Sequence, residues 1–141
     1  MSAAVEIELS VADLQPTTPV NTIVNNAGKT EADPNGMPAH TPGAKMDYGK
    51  APVTQGVLHY FPRALKAVAM VSFAGAQKYA WKGWEAVPDG INRYQNALGR
   101  HLLAEEIEGP VDADTKCLHK AQIAWNALAA LELYLREQEK S

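Results

Sequence analysis

Two short runs combine side chains able to do chemistry with spacings that bring them together. The first holds His101, Glu105 and Glu108, the second His119, Gln122 and Asn126. On a helix, residues three, four and seven apart share a face, so each run predicts one polar column. Both columns border positions that should be buried, Leu98 and Leu102 in the first and Ile123 and Ala130 in the second. Carboxylates and imidazoles are costly to desolvate without a partner, a proton or a metal. Two such columns facing each other predict a cleft suited to a divalent cation and an anionic ligand. Glu105, Glu106 and Glu108 also sit near a helix C-terminus, where an acid opposes the helix dipole. The plain alternatives are solvated surface glutamates, a His119 that packs at a helix start, and an Asn126 that bonds a neighbouring helix.

The elements that must position these groups follow from punctuation in the chain. Pro88-Asp89-Gly90 reads as a turn ahead of the first column, and Gly109-Pro110 as its helix stop. Asp112-Ala113-Asp114-Thr115 is a polar loop with N-cap candidates, and the last helix should run from there to about Glu137. An earlier helix should start at Phe61-Pro62, where proline suits the first turn. It is apolar nearly all round through Phe73 and Ala76, which predicts a central helix or a subunit interface. At its end, Tyr79, Trp81 and Trp84 alternate with Lys78 and Lys82. Such a mixture either stacks a nucleobase and neutralises its phosphates, or plugs a core edge with polar tips in water.

Residues 43–52 read as an irregular loop whose Lys45 and Lys50 could meet phosphate oxygens as point charges. They do not form a Walker loop, because no Gly-Lys-Ser/Thr follows at the required spacing. Residues 1–42 differ from the rest. Val5, Ile7, Leu9 and Val11 alternate with polar residues or alanine as one edge strand would, and proline, asparagine and glycine then dominate. The chain thus divides into an irregular arm at 1–42, flexible or docked on a partner, and a helical domain at 43–141. With 141 residues there is room for one modest core. The net charge of −3 carries no general basic footprint for a nucleic-acid polymer. Cys117 is the single cysteine, so no internal disulfide can form. The start of the chain is acidic and its most apolar run, 67–76, is too short for a bilayer, so a cytoplasmic protein without membrane contact is expected.

Taken in order, Gly43-x-Lys45-x-Asp47-x-Gly49-Lys50-x-Pro52, Phe73-x-Gly75-Ala76-x-Lys78-Tyr79, Trp84, Arg100-His101-Leu102, Asp112-x-Asp114-Thr115, His119 and Trp125-Asn126-Ala127 form a series. That series resembles the phage-type dATP/dGTP diphosphohydrolase family, which is similar to the all-α, MazG-like nucleotide pyrophosphohydrolases. The resemblance implies an all-α fold, a small bundle of about three to four helices, associated as a dimer or tetramer. It implies cleavage of a purine deoxynucleoside triphosphate to the monophosphate and pyrophosphate with Mg2+ or Mn2+. On this reading Glu105, Glu108, Asp112 and Asn126 hold the ion, with Asp114 as an alternative to Asp112. His101 or His119 relays a proton, and Glu105 is ligand or base. Lys78, Lys82 and Arg100 meet the phosphates, with Lys45 and Lys50 from the loop, and Trp84 or Tyr79 stacks the base. The chain departs from the family pattern at Glu105, at Glu108-Gly109, at Gln122 where a second histidine is usual, and at Lys116 where glycine is usual. A non-catalytic protein that binds a nucleotide or partner on the same scaffold is the rival reading.

Overall fold

A computed structural model describes residues 31–141. The alternation at 5–11 lies outside the described residues. The chain divides into two units after Ala51. In the first, residues 31–51 form consecutive turns gathered on Asp33. Its carboxylate accepts the backbone N–H groups of Asn35 at 2.8 Å, Met37 at 3.2 Å and Lys45 at 2.9 Å. These donors, with the Lys45 N–H foremost, outweigh desolvation and hold its acid below the ordinary carboxylate value. Gly36 and Gly43 take left-handed backbone, φ 77° and 90°, at the tight corners where a Cβ would be strained. This unit also holds Lys45 and Lys50, which pair with Asp47 at 3.7 Å and Glu31 at 3.0 Å.

The second unit is helical. A wide π-type turn at Thr54–Leu58 leads into α1 (Pro62–Lys78), with Pro62 at the first helical position as its sequence predicts. A short 3-10 turn (Gly83–Ala86) precedes α2 (Gly90–Glu108), and α3 (His119–Lys140) closes the chain. Helix α3 is the hub: it packs along α2 and, less extensively, against α1. It also carries nearly all the buried residues of this unit, namely His119, Ala121, Gln122, Asn126, Ala129 and Ala130, with Gly90 of α2. By contrast α1, the most apolar helix, buries none of its residues, so it is not a central helix of this unit. Its Met70 and Phe73 are about half exposed.

The start of α2 fits closely on α3 at Gly90, where a Cβ would stand 2.7 Å from Leu133 Cδ1. Gly109 ends α2 with φ 95°, its N–H bonding the Glu105 carbonyl. The connection to α3 is a tight loop closed by an isolated antiparallel bridge between Val111 and Leu118. Within it the Asp112 N–H bonds Cys117 O, and the His119 N–H bonds Pro110 O, each at 2.9 Å. Lys116 occupies left-handed backbone here, φ 62°, a conformation that glycine adopts at lower cost. Lys116→Gly is expected to raise stability by about 0.5–1 kcal/mol, read as a higher thermal midpoint. A lower midpoint would show that the lysine side chain contributes more than its backbone costs.

Candidate functional site

The loop between α2 and α3 faces the C-terminal end of α1, and the space between them is an open cleft of about 1150 Å3. Its floor is built by the 109–118 connection. Asp112 accepts from Gln122 Nε2 at 2.8 Å, from the Thr115 hydroxyl at 2.9 Å and from the Asp114 N–H at 3.0 Å. Desolvation is the largest influence on this acid and would raise it. The Gln122, Asp114 and Thr115 donors together, with His101 nearby, win and lower it to about 2. Asp112 is therefore an anion at any physiological pH, and it holds the buried amide of Gln122 in place. One turn further along α3, Asn126 Nδ2 donates to the Gln122 carbonyl at 2.8 Å.

The two histidines meet beside this knot. His101 Nδ1 lies 3.0 Å from His119 Nδ1. His101 lines the cleft, whereas His119 is 2% exposed, lies behind it, and leaves its Nε2 without a partner. Burial, then the facing His119, lowers the His101 pKa from its ordinary value, with Asp112 pulling weakly the other way. His101 is accordingly neutral near pH 7.

The cationic wall comes from α1, α2 and the segment between them. Lys78, Lys82 and Arg100 all line the cleft. Lys78 is already paired with Asp114 at 2.6 Å, which raises its pKa. Arg100 and Lys82 have no ion-pair partner among the described residues and remain available to an anionic ligand. The backbone of Lys82 is left-handed, φ 60°, a conformation that a lysine adopts only at a cost.

The aromatics separate by role. Trp84 packs edge-on against Trp125 at 6.0 Å and Tyr94 at 6.3 Å, and Arg136 lies 5.5 Å from its ring centre. Tyr94 OH donates to the Trp84 carbonyl at 2.7 Å, and Trp125 Nε1 donates to Ser72 Oγ at 2.8 Å, which ties α3 to α1. Trp84 thus plugs the junction of α2 and α3. Tyr79, 80% exposed, and Trp81, 67% exposed, present free rings at the cleft. The sequence groups Trp81 with these aromatics but gives the stacking role to Trp84 or Tyr79; in the structure the exposed pair is Tyr79 and Trp81.

The polar columns do not face each other along their length. They meet only at His101 and His119. One turn further along α2, Glu105 pairs with Lys120 at 2.7 Å, outside the cleft. Glu108 is exposed and also lies outside it. Among the described residues no group of three or more His, Cys, Asp or Glu is placed to hold a metal ion. The acids that do line the cleft, Asp112 and Asp114, already have their charge met by donors or by Lys78. This donor set does not fit a resident hard cation, which needs several uncommitted oxygens.

Residues 40–141 match the family model of the dATP/dGTP diphosphohydrolase, N-terminal. The chain belongs to that family. No curated protein and no solved structure matches it. From residue 73 onward, most of the ordered series that resembles the family lines the cleft of the helical unit; Phe73, Leu102, His119 and Ala127 do not. Phe73 and Gly75 lie on α1, Arg100 and His101 on α2, Asp112 to Thr115 in the connection, and His119 to Asn126 on α3. The diphosphohydrolase family is thereby tied to an all-α unit in this chain. No helix of the described residues is long and apolar enough to cross a membrane.

Proposed function

We propose that the cleft binds a purine deoxynucleoside triphosphate and cleaves it to the monophosphate and pyrophosphate. The observation that carries this reading is the pairing of two free cations, Arg100 and Lys82, with two free aromatic rings, Tyr79 and Trp81, on one cleft. A triphosphate needs the first, a base the second. In the reaction the oxygen of a water attacks the α-phosphorus and the bond to the α–β bridging oxygen breaks. Pyrophosphate leaves with the bonding electrons, and the protons of the water pass to products and solvent. Arg100 and Lys82 meet the negative charge that gathers on the leaving group. The expected dependence on Mg2+ or Mn2+ forms no part of this proposal, since the donor set at the cleft does not support it.

The commitment of Asp112 and Asp114 to their own neighbours favours a second reading, nucleotide binding without cleavage. One experiment separates the two. A panel of canonical nucleotides, with and without magnesium or manganese, is followed by product chromatography and by titration calorimetry. Monophosphate and pyrophosphate from dATP or dGTP support the hydrolase. Heat of binding with intact nucleotide supports the binding protein, and neither signal defeats both.

The same unit supports association with further copies of this chain. Leu103 and Ile107 on α2 and Leu128 and Leu131 on α3 are at least half exposed, while its fully buried apolar side chains are all alanine. Exposed leucines at helical spacing are costly in water. Sedimentation is expected to give a dimer or tetramer, and a monomer at micromolar concentration would count against this.

A further inference from the structure

The paired histidines carry an inference that deepens the hydrolase reading and rests on it for the identity of the ligand. Two imidazole nitrogens 3.0 Å apart can share only one hydrogen, because two N–H groups would point at each other. Exactly one of the two Nδ1 atoms is therefore the donor, and the choice sets what His101 shows to the cleft. A donor on His101 would leave its Nε2 as a lone pair. A donor on His119 leaves His101 with its proton on Nε2.

Two features decide between them. The His119 ring is 2% exposed. Its Nε2 has no acceptor, so a hydrogen there would be a buried donor without a partner. Placed on Nδ1, the same hydrogen is satisfied by His101. Finally, the Asp112 carboxylate lines the cleft that His101 faces, and a hydrogen on His101 Nε2 is favoured by that negative charge and by any phosphate that enters.

We propose that His119 is a positioning residue: it donates its Nδ1–H to His101 Nδ1 and so presents the His101 Nε2–H to the cleft as a neutral donor to a phosphate oxygen. His101 acts as a hydrogen-bond donor and not as the base that removes a proton from water. His119 touches no ligand and works entirely through its neighbour.

The test is a long-range 1H–15N spectrum of the histidine rings of the full chain at pH 8, recorded without nucleotide. The expected result is a protonated Nε2 and a bare Nδ1 on His101, with the reverse assignment on His119. A protonated Nδ1 on His101, or tautomers averaged on either ring, overturns the proposal. Two variants extend it to function. His119→Asn keeps a donor where Nδ1 stood and is expected to keep both the His101 tautomer and hydrolysis within about threefold. His119→Phe removes the donor and is expected to average the His101 tautomers and lower kcat about tenfold, with KM little changed. If the phenylalanine variant does not fold, the asparagine variant decides: loss of the tautomer or of hydrolysis in it overturns the proposal. Because the spectrum needs no nucleotide, the histidine arrangement stands even for a protein that turns over none, in which case the hydrolase reading alone fails.

Discussion

Arg100→Ala is expected to lower nucleotide hydrolysis about 100-fold while leaving the thermal midpoint in place. The guanidinium lines the cleft, is exposed, and has no ion-pair partner among the described residues, so its removal unbalances nothing in the resting protein. Its charge is available in full to a triphosphate. A planar fork also matches phosphate oxygens in a way that a lysine does not, and Arg100→Lys should recover only part of the loss. Lys78 offers the contrast. Its ammonium is held by Asp114 at 2.6 Å, so Lys78→Ala should cost less in turnover, because part of its charge is already spent on a neighbour. Steady-state rates for the three variants check the order. Equal losses at Arg100 and Lys78, or an Arg100 variant as active as the parent chain, would remove the phosphate wall from the argument.

The largest effect on stability is expected at Asp112. Its two carboxylate oxygens accept from three donors, and one of those is the amide of Gln122, which is buried. Asp112→Ala leaves that amide without its charged partner and unties the connection that sets the start of α3. The expected loss is about 3 kcal/mol, measured by denaturant unfolding. Asp112→Asn is not a mild substitute. An amide places an NH2 group where an oxygen accepted, and either orientation sets donor against donor. Acid supplies an independent check. Asp112 has a folded value of about 2 against an ordinary 3.8, so its contribution is present above about pH 4 and is lost as pH falls towards 2. The acid limb of the stability curve should be shallower in Asp112→Ala over that interval. An unchanged limb, or a variant as stable as the parent, would show that the knot carries little energy.

Both outcomes bear on the same cleft, whose floor is built by the 109–118 connection between walls from the helices. That connection was only partly legible in the chain. The helix stop at Gly109-Pro110 follows from local chemistry and the structure agrees, whereas α3 starts at His119, later than the N-cap candidates at 112–115 place it. The capping expected of the loop is different in kind. Asp112 turns inward and organises its own loop and Gln122, and no side chain caps α3. A sequence shows that Asp112 and Gln122 can both hydrogen-bond; it does not show that they lie close enough to choose each other.

The same distinction runs through the rest of the site. Periodicity and punctuation, which act over one or two helical turns, determine where the three helices of the described residues run and that His101 and His119 stand on polar columns, whereas the all-α class is what the family resemblance implies. They also determine that Lys78, Lys82, Arg100, Tyr79 and Trp81 belong to segments fit for an anion and a base. Which parts of those columns meet was decided by how α2 crosses α3. Gly90 brings the start of α2 close to Leu133 of α3, and the columns touch at the histidines alone. One turn away Glu105 faces Lys120, and Glu108 is in solvent. A helical wheel gives the angle of a side chain about its own axis, whereas contact depends on the angle between two axes, and no local pattern encodes that.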